Sequence, residues 1–584
     1  MSSAPRTART ASRIARFSSS ASSSRDAHPW ISGRFDQEAS ISYAAKLAIT
    51  DPARASQIGS IAIPTSSQVQ KALDHANSVF ASGHGEWSSP DSVHFRSECL
   101  YRLAQILRQR APELAMLESQ QTGRCIREFR AQLARLYEWF EYYSALIRVG
   151  EGSTLPLRGQ LLGYKARRPL GVVLQITPFN HPLLIAVKKL AAALAAGNSV
   201  IVKPSEVAPL TVLELGPMTQ EAGIPDGVVQ ILPGAAETAK QLVESPYIRK
   251  IDFTGGTRVG TLLSEQAGKR LIPITTELGG KAPLIVMEDC PVDLAVNGAS
   301  FAAFVASGQT CVSATRISVH EKIFTAFLDR FAERANNISS RMGNPQNADA
   351  LLGSLISAAH ADKVDAIVQG VTTPRRSSAS VWECVAGGRK PNGASFDGHD
   401  LAASGAFYPP TILIPAGTSS DPSSLSSPAE QAVRSSTLWQ EEVFGPVVCV
   451  VPFRDDAHAI ELANDSRFGL GASVWTADHA RFHRMVPRIK AGIVWLNTHH
   501  RNDPSSPWGA IAPTGNFSGS GTASLGANPS GIGRENGLEA LNAYSTVQSI
   551  TINYADHETM RSSEDWFGPA DKGAASSQPP VRYG

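Results

Sequence analysis

Two stretches of this chain hold residues that could carry covalent chemistry. One is Phe304-Val305-Ala306-Ser307-Gly308-Gln309-Thr310-Cys311, an apolar segment closing in Gly308 and small polar residues, which suits a turn presenting the Cys311 sulfur to a cleft. The other is Glu277-Leu278-Gly279-Gly280-Lys281, a carboxylate and two glycines directly after a β-prone run. A thiol and a carboxylate suggest a nucleophile and a base. A thiolate attacking an aldehyde gives a hemithioacetal, loss of hydride leaves a thioester, and a base-activated water hydrolyses it. The hydride needs an acceptor, so a nicotinamide site should be encoded as well.

The elements that must position these groups show in the periodicity. Residues 92–149 read as helical, with Leu100, Leu103 and Leu107, then Leu133, Leu136, Phe140 and Tyr143, at helical spacing. Beyond them come a strand Val172–Ile176, a turn Thr177-Pro178-Phe179-Asn180, a helix from Pro182 to Ala196 stopped by Gly197-Asn198, and a strand at Ser199–Val202. Helices near 210–222, 237–243 and 258–267 alternate with strands at 228–232, 250–253, 273–277 and 283–287. Such alternation with short connections predicts a doubly wound parallel sheet of the nucleotide-binding kind. From about 290 the alternation repeats less cleanly: helices 291–307, 321–336 and 456–464, strands 315–319, 447–452 and 493–496. Stretches 373–405, 415–437 and 511–528 are rich in Ser, Gly, Ala and Pro without periodicity and read as surface insertions, and 562–584 reads as a flexible tail.

Length and composition agree with a large folded enzyme. The 584 residues are 42% hydrophobic and 18% charged, enough for two or three domains. The formal charge is +2, but residues 1–25 hold five arginines and no acid, so the remainder carries a small negative charge and no basic surface for nucleic acid is expected. The six cysteines are scattered without metal-ligand spacing, which argues against a disulfide scaffold or a structural metal. No uncharged apolar run reaches membrane-spanning length; Leu183 to Ala196 is short and holds Lys188 and Lys189. Residues 1–26 read either as a mitochondrial presequence, with Arg6, Arg9, Arg13 and Arg16 on one helical face, or as a disordered basic leader. The compartments expected are the mitochondrial matrix or, failing that, the cytoplasm.

On the cofactor side no GxGxxG follows a strand. Phe253-Thr254-Gly255-Gly256-Thr257-Arg258-Val259-Gly260 instead lies between a strand and a helix, where glycines let a pyrophosphate approach backbone N–H groups, or merely make the turn. Lys203-Pro204-Ser205-Glu206 ends another strand, and its cation and carboxylate are either a grip on ribose hydroxyls or an exposed charge pair.

With these segments in view, the chain resembles the aldehyde dehydrogenase superfamily. Thr177-Pro-Phe-Asn180, Lys203-Pro-Ser-Glu206, Phe253-Thr-Gly-Gly-Thr257, Glu277-Leu-Gly-Gly-Lys281, Gly308-Gln-Thr-Cys311, Glu441-Glu-Val-Phe-Gly-Pro446 and Ser530-Gly-Ile-Gly-Arg-Glu535 occur in that family's order, over roughly residues 40 to 555. The resemblance implies Cys311 as nucleophile, Asn180 with the Cys311 N–H as oxyanion donors, Glu277 as activator of the deacylating water, and Lys189 and Glu535 as proton relay. It implies NAD (NADP the alternative) held by Ile176, Thr177, Phe179, Lys203, Glu206, Gly234, Gly256, Gly260, Leu278, Glu442 and Phe444, with Glu206 disfavouring a 2′-phosphate.

The implied architecture is an NAD-binding α/β domain over 27–150 and 170–281, a second α/β catalytic domain over 282–539, and a β oligomerisation arm over 151–169 and 540–556. That arm would make a homodimer or homotetramer. The chain departs from common members at Phe179, where tryptophan is frequent, in the lengthened 511–528 loop, and at Lys188, a position often aromatic. Lys188 is expected to meet a polar or anionic group of the aldehyde, or else to point to solvent. The alternatives weighed are a coenzyme A-acylating enzyme, against which Glu277 argues, and a catalytically silent dehydrogenase-like structural protein.

Overall fold

The computed structural model describes residues 25–36, 46–81, 86–373, 380–419, 421–511 and 529–564. Residues 172–176 are buried at every position, the pattern of a strand covered on both faces. That strand is the middle of an eight-stranded sheet. Five parallel strands run in the order Ile274–Glu277, Ile248–Thr254, Val172–Ile176, Ser199–Lys203, Val229–Ile231. Antiparallel partners close each side, Gly531–Ile532 against Ile274–Glu277 at one edge, and Trp30–Ile31 against Val229–Ile231 followed by Arg34–Phe35 at the other. The chain reverses direction across this sheet at its centre, and the carboxyl ends of its strands are where ligands bind in such folds.

The helix Pro182–Ala195 is buried along its whole length, packed between the sheet and the long helix Val93–Thr122. Proline opens it, where no N–H is needed, and Gly197 in the left-handed region ends it as the spacing predicts. Lys188 and Lys189 are thereby carried into the interior.

A second sheet has seven strands: Trp382–Ala386, Thr411–Pro415, Val447–Phe453, Arg316–His320, Pro283–Val286, Gly471–Trp475 and Ile493–Leu496, parallel except for the first. Two apolar clusters cover its faces, one around Phe324, Phe327 and Phe331, the other around Trp382, Leu438 and Trp439. Away from both sheets, Leu161–Pro169 pairs with Ser545–Asn553 over nine residues, with Thr154–Leu155 on the other side.

Several expectations are corrected. The stretch 373–405 is not merely a surface insertion, because Trp382–Ala386 forms the edge of the second sheet and Trp382 is fully buried with its Nε1 donating to Ser436 Oγ at 3.0 Å. Likewise 415–437 holds the helix Ser427–Arg434, which buries Val433. In both, one or two large apolar side chains anchor a segment whose average composition is polar. Arg25 and Asp26, assigned to the leader, lie in a strand, Arg25–Ala27, paired with Ser56–Ala62. The helix His557–Glu564 enters the stretch assigned to the tail. Residues 1–24, 374–379, 512–528 and 565–584, on which the rest of the leader, insertion and tail readings fall, lie outside the described residues.

Candidate active site

The helix expected over 291–307 stops at Phe304, and the reason is local. Ala306 and Ser307 adopt left-handed backbone (φ 59° and 52°), followed by Gly308 at φ 72°. Non-glycine residues pay for that conformation, so it persists only where surroundings enforce it. Here the Ala306 N–H donates to Glu128 Oε2 at 3.0 Å and the Ser307 hydroxyl to Gly353 O at 3.2 Å. At Gly308 a Cβ would stand 2.2 Å from the Gly445 carbonyl oxygen. The resulting turn delivers Cys311, partly exposed, to a cleft of about 650 Å³.

The other opening stretch crosses the same turn. A Cβ at Gly280 would lie 2.1 Å from the Cys311 carbonyl oxygen, so only glycine lets the two segments touch. Glu277, the last residue of its strand, is 4% exposed, and neither carboxyl oxygen has a hydrogen-bond partner among the described residues. Burial first, and then the charge of Glu535, push its carboxyl well above the usual carboxylate range. Burial also pushes the Cys311 thiol up, to about 12, with Glu277 and Glu442 adding to it. The thiol is therefore protonated at rest, and the Glu277 carboxyl on the same cleft is left without a partner among the described residues.

Asn180 closes the turn after Val172–Ile176. Its Nδ2 donates to Gln309 O at 2.8 Å, which fixes the amide against the residue two before Cys311 and leaves a second N–H. Arg124 holds the backbone here, donating through Nη1 to Asn180 O at 2.8 Å.

A buried charge cluster runs from the cleft wall, at Lys188 and Glu535, to Lys189 and Asp252 behind it. Lys188 Nζ meets Glu535 Oε2 at 2.9 Å, Lys189 Nζ meets Glu535 Oε1 at 2.6 Å, and Lys189 also pairs with Asp252. Burial pulls the Glu535 carboxyl up, but the two ammonium groups outweigh it and bring it to about 2. The solvent-pointing reading of Lys188 is corrected: its ammonium is buried, paired, and 4.9 Å over the Trp508 ring.

On the far side, Glu442 Oε1 accepts the Gly280 N–H at 3.0 Å, and burial lifts its carboxyl to about 7. Phe444, itself left-handed at φ 59°, sets its ring edge-on to Phe179 at 5.9 Å, and His360 Nε2 donates to its carbonyl at 2.7 Å. Gly256 caps the helix Thr257–Lys269, and a Cβ there would meet nothing within 4 Å, so that N-terminus opens on the cleft.

Of the residues singled out in the sequence, Cys311, Glu277, Asn180, Glu535, Phe179, Glu206, Gly256, Leu278, Glu442 and Phe444 line this one cleft. Six do not line it. Lys189 sits behind Glu535. Ile176 and Lys203 are register partners at the strand ends, and the Thr177 N–H donates to Lys203 O at 3.1 Å. Lys203 Nζ stands 3.6 Å from Glu206 Oε2, its side chain buried, so the exposed-pair alternative holds for Glu206 alone. Gly234 and Gly260 admit close neighbours, Thr238 Oγ1 at 2.3 Å and Leu278 Cδ2 at 2.5 Å from their would-be Cβ atoms. Sequence reasoning missed His181, Lys363, His500, Asn502 and Trp508, all on the wall. His181 had a signal, standing next to Asn180. The others lie in unpatterned loops or, for Lys363, on the helix Ala358–Thr372, which was not anticipated.

The aldehyde dehydrogenase family profile matches residues 40–550. Among solved structures, PnpE from Pseudomonas sp. WBC-3 is 33% identical, matching 91% of this chain and 100% of its own at a TM-score of 0.77; a second PnpE structure is a complex with nicotinamide adenine dinucleotide. An NAD-dependent aldehyde dehydrogenase from Sinorhizobium meliloti is 29% identical (91% and 95% covered, TM-score 0.79). Betaine aldehyde dehydrogenase from Staphylococcus aureus, in complex with NAD+, is also 29% identical (93% and 96%, TM-score 0.80).

Proposed function

Because the chain belongs to the aldehyde dehydrogenase family, we propose that it oxidises an aldehyde to the carboxylic acid through a thioester on Cys311, with NAD+ as oxidant. The observation carrying this reading is the meeting in one cleft of Cys311, Asn180 and a buried Glu277 carboxyl that has no partner among the described residues.

The residues present fit a dinucleotide. The open helix N-terminus at Gly256 offers backbone N–H groups to a pyrophosphate, Glu206 and Glu442 offer carboxylates to ribose hydroxyls, and the Phe179–Phe444 pair offers apolar edges to a flat ring. Bound NAD+ supplies the hydride acceptor. Glu206 on the wall disfavours an added phosphate there, which supports NAD over NADP.

The chain's own groups do the rest. The Cys311 proton leaves toward the Glu277 carboxylate, and the thiolate forms an S–C bond to the aldehyde carbon. The oxyanion accepts the second Asn180 N–H and the Cys311 N–H. After hydride loss Glu277 gives up the proton it took from Cys311 to solvent in the cleft and, ionised again, takes a proton from water as it attacks the thioester; the S–C bond breaks, the Cys311 thiolate leaves and the carboxylic acid is released. Lys188, Glu535 and Lys189 form a charged chain along which that proton can pass away from the cleft.

The paired strands Leu161–Pro169 and Ser545–Asn553 expose Leu162, Tyr164, Val547 and Ile552, which supports subunit pairing into a dimer or tetramer. Cofactor reduction with a panel of aldehydes, with and without coenzyme A, tests the reaction. Acid as product, no dependence on coenzyme A and no turnover by Cys311→Ser support it; turnover by Cys311→Ser, or a coenzyme A thioester as product, overturns it.

A further inference from the structure

One group on the cleft wall is built for a ligand that the chemistry above does not name. His181 is 4% exposed, lines the cleft next to Asn180, and its Nε2 is buried with no hydrogen-bond partner among the described residues. Its protonation is dictated from the other side of the ring. Arg124 Nη1 stands 2.9 Å from His181 Nδ1, and a guanidinium can only donate, so Nδ1 accepts. Gln132 Nε2 approaches the same nitrogen at 3.0 Å. Burial, and then the Arg124 charge, hold the imidazole well below its ordinary range, so it is neutral and its one proton sits on Nε2. The ring is thereby fixed as a donor at Nε2, on a residue of the cleft wall, with no acceptor for it among the described residues. Buried polar groups are seldom left so, and those that are commonly mark a ligand.

The surroundings narrow what that ligand group is. Lys188 and Arg124 are already paired, with Glu535 at 2.9 Å and Glu128 at 2.8 Å, so neither offers an arriving carboxylate an uncompensated charge. The rest of this end is ring surface, His500 edge-on to His181 at 5.7 Å and Trp508 6.1 Å from His500.

We propose that the substrate is an aldehyde bearing an uncharged oxygen acceptor, such as a hydroxyl, ether or carbonyl oxygen, which takes the His181 Nε2–H. This rests on the dehydrogenase reading and makes His181 a specificity residue of that site. It replaces the anionic partner expected for Lys188. A donor left unpaired by the wrong substrate is what lets a site reject an analogue lacking the oxygen.

The test compares methoxybenzaldehydes with ethylbenzaldehydes at the ortho, meta and para positions, pairs that exchange an oxygen for a methylene at nearly constant shape. At one position the wild-type kcat/KM should favour methoxy by roughly 10- to 100-fold. His181→Asn keeps an acceptor for Arg124 at the Nδ1 position and withdraws the distal donor. In that variant the ratio of methoxy to ethyl kcat/KM should collapse toward one. Equal kcat/KM for methoxy and ethyl at all three positions in wild type overturns the proposal, and that comparison needs no variant. So does a preference for carboxybenzaldehyde over methoxybenzaldehyde, or an equal loss on both partners in His181→Asn. Benzaldehyde separates the two readings: its NAD-linked oxidation without any methoxy preference sinks this inference alone, whereas no oxidation of any aldehyde sinks both.

Discussion

Replacing Glu535 with glutamine keeps its shape and removes one charge from a buried cluster of two ammonium groups and two carboxylates at the cleft wall. In wild type the charges balance. In Glu535→Gln, Lys189 keeps Asp252, but Lys188 is left with the Trp508 ring at 4.9 Å. The Glu535 carboxyl falls from its usual 4.5 to about 2, the two lysines outweighing burial. At 1.36 kcal/mol per tenfold, that drop is worth roughly 3 kcal/mol. An independent figure agrees, since removing one partner of a buried pair typically costs about 3–5 kcal/mol. A depressed carboxylate stabilises above its unfolded value and loses that stabilisation as pH falls toward the folded one. The variant should therefore be about 3 kcal/mol less stable at pH 7, and the gap should narrow as pH falls from 4.5 toward 2. Urea unfolding followed by tryptophan fluorescence at pH 7 and at pH 4 or below reads both quantities. A gap under about 1 kcal/mol at pH 7, or one independent of pH, would refute the reasoning.

Three further outcomes follow from the cleft. Asn180→Ala removes an oxyanion donor and the tie to Gln309 O, and should lower kcat by about 10²- to 10³-fold with NAD affinity little changed, read by steady-state kinetics and cofactor titration. With the Cys311 thiol pushed up to about 12, its thiolate fraction rises about tenfold per pH unit through the neutral range, so iodoacetamide labelling of Cys311 without cofactor should quicken by about 100-fold from pH 7 to pH 9. A flat profile, measured by peptide mass, would contradict the protonated resting state. Glu206→Gln should raise kcat/KM with NADP relative to NAD by about tenfold, because the wall then lacks the repelling carboxylate.

The parts of this molecule legible in its sequence are those where chemistry forces residue type. Gly280 and Gly308 are glycines because backbone lies about 2 Å from any Cβ, and Cys311, Glu277 and Asn180 are short motifs beside them. The first sheet was legible because strands such as Val172–Ile176 are apolar at all but one position and separated by helices with clear caps. The second was less so. Thr411–Pro415 and Gly471–Trp475 are five-residue strands set among prolines and glycines, too short for periodicity to register, and Trp382–Ala386 is a strand by virtue of its neighbour and one buried tryptophan. Lys188 reads as a surface residue because lysine usually is one; only the arrival of Glu535, 347 residues later, makes its burial tolerable. His181, His500 and Trp508 come together through loops whose course no local pattern encodes.

The central claim is a thioester on Cys311 that needs Glu277 to release it. Glu277→Gln mixed with aldehyde and NAD+ in a stopped-flow instrument measures it directly. One NADH per site should form in a burst and then stall, with the acyl mass found on the Cys311 peptide. Continued turnover at the wild-type rate, or a burst that survives Cys311→Ser, would contradict the account.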